Sequence, residues 1–255
     1  MNVTSAKQIL HRFCSFPVSS TEDILQEFAN VPGAIVHFDG QKKNFVYIPG
    51  TRRDRVLLVA HVDTVWDAFY GKGTFEQTLA EQDGMYSGVN PDCGIGADDR
   101  AGCAILYCLK ESGHSLLIVD GEEHGQIGSN HIKNAYPEIF NELNRHSYVI
   151  QFDRRGSDNY KVYNLPVSKK FIRFIEKSTG FKDAGKNART DIVVLCRDIC
   201  GVNLSIGYYD EHSSDEKLVF SEWFKTLELS ERMLRKEQTG YPLKPKSGLF
   251  WRIFH

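Results

Sequence analysis

Long apolar runs are absent from this chain. No stretch approaches the roughly 18 residues that a membrane span needs, so no membrane partner is expected. An excess of charge of one sign is also lacking. Lys and Arg number 31 against 33 Asp and Glu, a net charge of −2. Charge alone therefore draws in neither nucleic acid nor an anionic membrane surface. The N-terminus has no basic flank followed by an apolar segment, so it does not read as a signal peptide, and the expected compartment is the cytoplasm. The six cysteines (Cys14, Cys93, Cys103, Cys108, Cys196 and Cys200) include no CxxC pair. They read as buried free thiols in a reduced protein, with Cys196 and Cys200 spaced to share a helix face. Internal repeats, low-complexity tracts and linkers are missing as well.

What is present is a chain of 255 residues, long enough to bury a sizeable core as one large domain or two small ones. Residues 5–16 carry apolar positions at helical spacing, and a second helix follows through Ile24, Leu25 and Phe28. Two short strands are predicted over 34–38 and 44–48. The run at 55–60 is continuously apolar, as expected of a strand buried on both faces. Residues 67–93 are polar and Gly-rich and read as an irregular excursion with one hairpin at Asp83-Gly84. Helices are predicted from Asp98 to Cys108 and over 126–134, 137–143, 168–178, 191–196 and 217–236. Strands are predicted over 115–119, 147–152 and 202–206. The tail ends in an aromatic segment, 249–254, suited to packing on the body or on a neighbouring subunit, which leaves a homo-oligomer open. Buried strands alternating with helices predict a three-layer α/β sandwich around a mostly parallel mixed sheet, with ligands at the carboxyl ends of the strands.

Histidine and carboxylate residues recur at those ends. The run at 55–60 leads to His61 and Asp63, and that at 115–119 to Glu122 and Glu123. The strand over 147–152 leads to Asp153, that over 202–206 to His212, and Asp98 sits in Gly94-Ile-Gly-Ala-Asp-Asp-Arg-Ala-Gly102. Each has an ordinary explanation when taken alone. His61 suits a hydrogen-bonded structural histidine, Asp98 and Asp99 suit a helix N-cap, and Glu122 with Glu123 suits a solvated charge pair. Chance rarely places all of them after separate buried runs. Imidazole with carboxylate oxygen is a donor set for Zn²⁺ and its first-row neighbours.

These residues, in this order, carry a family resemblance. His61-x-Asp63, Gly96-Ala-Asp-Asp-Arg-Ala-Gly102, Glu122-Glu123-x-Gly125, Asp153 and the His212 segment resemble the co-catalytic zinc exopeptidases. The motif text is most similar to the M20 branch (peptidase T and carboxypeptidase G2 type), with Asp-Asp-Arg also similar to the M42 aminopeptidases. The resemblance implies the zinc-exopeptidase (phosphorylase/hydrolase-like) fold and two divalent metal ions, with Zn²⁺ expected and Co²⁺ or Mn²⁺ as alternatives. It implies Asp98 as the bridge, His61 and Asp153 on one metal, and Glu123 and His212 on the other. Asp63 would orient His61, Glu122 would be the general base, and a cis peptide is expected after Asp98. The implied reaction is hydrolysis of a small peptide by a water that two cations make acidic. Arg100 either braces the carboxylates or binds substrate, Arg189 is a candidate for a substrate carboxylate, and Asp191 belongs to a Thr-Asp step near the substrate pocket. Asp215 or Glu216 is expected to orient His212.

The interval between Asp153 and His212 is about sixty residues, too short for the lid domain usual in M20 enzymes. The expectation is therefore one catalytic domain over 1–255 without a lid, a plan closer to the M28 aminopeptidases. Two other functions compete with an aminopeptidase or dipeptidase. One is an amidohydrolase or deacylase acting on a non-peptide amide such as an N-acyl amino acid. The other is a non-catalytic binding protein on the same fold, which loss of Glu122 or of a metal ligand would favour, yet each of those positions is filled.

Overall fold

A computed structural model of the chain describes residues 1–68 and 77–244. The aromatic segment 249–254 and part of the 67–93 excursion lie outside the described residues. The chain opens with two helices, α1 (Val3–Cys14) and α2 (Glu22–Ala29), followed by strands β1 (Ile35–His37), β2 (Phe45–Ile48) and β3 (Leu57–His61). Next come β4 (Leu79–Gln82), β5 (Met85–Gly88), α3 (Ala97–Leu109), β6 (Ser115–Val119), α4 (Ile127–Ala135) and α5 (Pro137–Leu143). The second half adds β7 (Val149–Arg154), β8 (Asn159–Lys161), α6 (Lys169–Thr179), β9 (Lys182–Asp183), α7 (Asp191–Leu195), β10 (Gly201–Ser205), β11 (Tyr208–Tyr209), β12 (Lys217–Val219) and α8 (Phe220–Leu234).

Eight strands form the main sheet in the order β1-β2-β6-β3-β7-β10-β8-β9. The central four, β6-β3-β7-β10, are parallel to one another, and antiparallel pairs flank them. Alternation along the strands divides the core into two layers. Leu58 and Ala60 of β3, with Leu116 and Ile118 of β6, pack with α1, α2, α3, α6 and α8. Leu57 and Val59, with Leu117 and Val119, face α4, α5 and α7. All five residues of β3 and of β6 are buried, as a sheet covered on both faces requires. This is the expected three-layer sandwich around a mostly parallel mixed sheet.

Local signals account for several boundaries. The Asn2 side chain accepts from Ser5 N–H at 2.8 Å and caps α1. Asp83 and Gly84, with φ of 52° and 77°, form the expected hairpin turn between β4 and β5. Two expectations are corrected. The helix predicted over 217–236 begins only at Phe220, because Lys217, Leu218 and Val219 pair with Ser87, Tyr86 and Met85. That pairing completes a second, antiparallel sheet, β11-β12-β5-β4, which is not among the expected elements. Cys196 and Cys200 do not share a helix, since α7 ends at Leu195. All six cysteines are free, and five are buried. Among the described residues, no helix is long and apolar enough to cross a membrane.

Candidate active site

The carboxyl ends of the parallel strands converge on Asp98. His61 ends β3 and is fully buried. Its Nδ1 lies 3.0 Å from the Asp63 carbonyl oxygen and 3.3 Å from Asp63 Oδ1, so Nδ1–H is the donor and the Nε2 lone pair points inward. That Nε2 lies 3.2 Å from Asp98 Oδ1 and 3.5 Å from Asp153 Oδ1. His212, on the loop between β11 and β12, brings its Nε2 to 3.2 Å from Asp98 Oδ2 and 2.8 Å from Glu123 Oε1. Each oxygen of the Asp98 carboxylate thus faces a different imidazole, and each imidazole meets a different second carboxylate. His212 itself sits at φ 63°, a left-handed conformation that a β-carbon makes unfavourable, at the point where its ring is delivered.

Other side chains hold these groups in place. Asp63 accepts from Glu122 N–H through Oδ1 and from Glu123 N–H through Oδ2, both at 3.0 Å. Asp153 Oδ2 accepts from Thr190 Oγ1 at 2.7 Å and from Gln151 Nε2 at 3.0 Å, and its backbone N–H donates to Asn203 Oδ1 at 2.9 Å. Glu216 accepts from Gly96 N–H at 2.7 Å and from Asp98 N–H at 3.0 Å. The peptide between Asp98 and Asp99 is cis. Asp99 is fully buried, does not line the cleft and accepts from His61 N–H and Gly102 N–H. Glu122 Oε1 is met by Gln126 Nε2 at 3.2 Å.

The electrostatics show an excess of buried negative charge. Burial, with His61 opposing and Asp153, Asp191 and Asp98 reinforcing, pushes Glu122 up to about 9. Burial also raises Glu123 and Asp153, and lifts Asp191 to about 7. Burial works against the His61 cation, but the neighbouring Asp153, Asp63 and Asp98 carboxylates raise its proton affinity well above the usual value. Asp98 and Glu123 hold His212 up at about 11. Burial opposes ionisation of Asp98, yet His212 and His61 hold its carboxyl below the usual range. A cluster that gathers protons this strongly is also one that favours cations.

Two atoms sharpen that point. His61 Nε2 and Asp98 Oδ1 are enclosed, and neither has a hydrogen-bond partner, although they are 3.2 Å apart. Lone pairs left facing one another inside a protein are unfavourable, and a shared cation resolves the conflict. The donor set of imidazole and carboxylate therefore fits a divalent metal. Donor atoms of His61, Asp98 and Glu123 lie within 4.8 Å of one another, as do those of His61, Asp99 and Asp153, although the Asp99 carboxylate already accepts two backbone N–H groups.

Asp98, Glu122, Glu123, Asp153 and His212 open onto a cleft of about 140 Å³, also lined by Thr190, Arg154, Arg155 and Arg189. Three sequence expectations are corrected by position. Arg100 is fully buried, and its guanidinium donates to the carbonyls of Phe16 and Pro17, so it reaches neither substrate nor the carboxylates. Asp191 lies behind the cleft, held by Ser129 Oγ at 2.6 Å and Gln151 Nε2 at 3.2 Å. Glu216 acts on the Asp98 turn rather than on His212, and Asp215 is exposed. Gln151 and Asn203 were missed. Their signal was a polar residue inside an otherwise apolar strand, which a buried functional partner requires.

No curated protein matches the sequence. Solved structures do match the fold. Aminopeptidase PepT from Bacillus cereus ATCC 10987 is 14% identical, with a TM-score of 0.67 over 92% of this chain and 98% of that one. A tripeptidase from Staphylococcus aureus subsp. aureus mu50 is 14% identical, with a TM-score of 0.64 over 92% and 100%. Aminopeptidase APDkam598 from the archaeon Desulfurococcus kamchatkensis is 11% identical, with a TM-score of 0.61 over 91% and 95%. The model of peptidase family M28 matches residues 45–191, more than half of the chain and the part that holds His61, Asp98, Glu122, Glu123 and Asp153. The chain belongs to peptidase family M28, within the co-catalytic zinc exopeptidase superfamily, and is a metallopeptidase by descent.

Proposed function

We propose that this protein is a metal-dependent exopeptidase, an aminopeptidase or dipeptidase of small peptides, built as one catalytic domain over 1–255 without a lid. The observation that carries the reading is the Asp98 carboxylate, whose two oxygens each lie 3.2 Å from a different imidazole. His61, Asp98 and Asp153 would hold one divalent cation, and Asp98, Glu123 and His212 the other. Zn²⁺ fits these donors, and Co²⁺ or Mn²⁺ are alternatives. When bound, the pair polarises the scissile carbonyl and makes an adjacent water acidic.

The chain's own residues do the rest. Glu122 lines the cleft and takes the proton from the attacking water, then passes it to the departing amine. Its burial among carboxylates gives it the proton affinity for that task, and neighbouring cations would bring this affinity down towards neutrality. Asp63 fixes the ring of His61 and, through two N–H groups, the backbone that aims Glu122 and Glu123. Glu123 faces His212 while Glu122 faces Gln126, which separates ligand from base.

A second reading, hydrolysis of an N-acyl amino acid, is equally compatible with the arginines at the cleft. Arg189 is exposed at the cleft and has no ion pair among the described residues, and Arg154 and Arg155 stand beside it. A free substrate carboxylate suits them, and both dipeptides and N-acyl amino acids carry one. The test is hydrolysis of an unblocked dipeptide, its C-terminal amide and an N-acetyl amino acid by protein reconstituted with Zn²⁺ or Co²⁺. The expected result is cleavage of the dipeptide, lost on chelation and restored by metal, with Arg189→Ala raising KM for the free acid more than for the amide. Cleavage of the N-acetyl amino acid alone would favour the second reading. Hydrolysis of none of the three after reconstitution would contradict both.

A further inference from the structure

A second set of donors lies away from the cleft, where the edge strand β1 meets α4. His37 closes β1, Asp39 follows it, and His131 projects from α4. One donor atom from each lies within 4.8 Å of the other two. The two imidazole rings have centroids 5.0 Å apart and planes inclined by 34°. The Nε2 atoms of both His37 and His131 are enclosed, and neither has a hydrogen-bond partner.

The supporting contacts orient these donors. Tyr136 Oη lies 2.8 Å from His37 Nδ1, which occupies that nitrogen and leaves Nε2 towards the cluster. Asp39 Oδ1 accepts from Gln41 N–H at 2.9 Å, while Oδ2 lies 3.9 Å from His37 Nε2. Holding one ring nitrogen so that the other is presented is how metal-binding histidines are prepared. The competing account is aromatic packing alone, because Phe45 and Tyr136 both pack against His37. Packing explains the rings but leaves two enclosed nitrogens without partners. A cation explains both.

We propose that His37, Asp39 and His131 form a separate site for one divalent transition metal ion, which staples β1 to α4. Two imidazoles and one carboxylate select zinc, nickel or copper over magnesium or calcium. None of the three residues lines the catalytic cleft. Helix α4 begins four residues after Glu123, so a metal here would anchor the segment that follows the catalytic carboxylates.

The test is calorimetric titration with Zn²⁺ of protein already loaded with its cleft metals and freed of excess, using the parent, His131→Ala and Asp39→Asn. The expected result is one further equivalent in the parent, absent in His131→Ala and bound at least tenfold more weakly by Asp39→Asn. Added Zn²⁺ should raise the Tm of the parent but not that of His131→Ala, and peptide hydrolysis without added Zn²⁺ should be equal in all three. No further equivalent in the parent, or an undiminished one in His131→Ala, would overturn the proposal and leave the rings as packing alone. The comparison of parent with His131→Ala reads only this cluster, so it holds even if the cleft binds no metal.

Discussion

Glu122 and Glu123 are neighbours in the chain, yet one meets Gln126 and the other His212. Their backbone N–H groups share a single acceptor, the Asp63 carboxylate. The roles proposed for the two differ accordingly, and substitution separates them. Glu122→Gln keeps the shape and the contact with Gln126 but cannot take a proton. Steady-state kinetics should show kcat reduced by roughly 10²–10⁴-fold, with metal content unchanged. A loss of metal in this variant would instead make Glu122 a ligand. The residues of the cleft that could be read from the sequence were those that break an apolar run at its end, such as His61 and Asp153. Glu216 could not be assigned, because its role depends on two backbone N–H groups more than 115 positions away. Arg100 misled for the opposite reason. It sits inside the motif, but its side chain points back to the loop after α1.

At the scale of elements, the approach of α3 to β7 fixes where Asp98 sits. Gly102 makes that approach close. A β-carbon there would lie 2.0 Å from the Phe152 carbonyl oxygen and 2.3 Å from Asp99 Oδ1. Gly102→Ala must push α3 away from β7 or displace Asp99, which holds the His61 backbone. The expected cost is about 3 kcal/mol, at the upper end for overpacking, measured by urea unfolding. Wild-type stability in this variant would contradict the packing described. The parallel strands and their helices were legible because their apolar runs are buried on both faces. The second sheet was not, because Lys217, Leu218 and Val219 fit the periodicity of α8 and are held as a strand by pairing with residues 85–87 on one side and 208–209 on the other. The short strands β8 and β9 carry too little apolar pattern to be read locally.

For the whole molecule, buried histidines away from the cleft set an acid limit on stability. His146 is buried, with Nδ1 2.9 Å from the Leu143 carbonyl oxygen and Nε2 2.7 Å from Ser115 Oγ. Burial lowers its pKa from 6.5 to about 4. Burial also lowers His114, which meets Val56 N–H and the Leu234 carbonyl oxygen. The unfolded chain therefore binds more protons than the folded one between about pH 6.5 and 4. Stability from His146 is fully present above that window and is lost as pH falls through it. Unfolding curves should show the parent losing on the order of 2 kcal/mol more than His146→Gln across the window. Parallel pH profiles for the two proteins would contradict this.

In the proposed site Asp98 joins two metal ions, each held by a different imidazole. The most direct measurement is metal content after reconstitution and desalting, made in a His131→Ala background so that the cluster at β1 does not contribute. Two equivalents are predicted with Asp98 intact, one in Glu123→Ala, and fewer than one in Asp98→Ala. No more than one equivalent with Asp98 intact, or two retained in Asp98→Ala, would contradict a bridging role for Asp98.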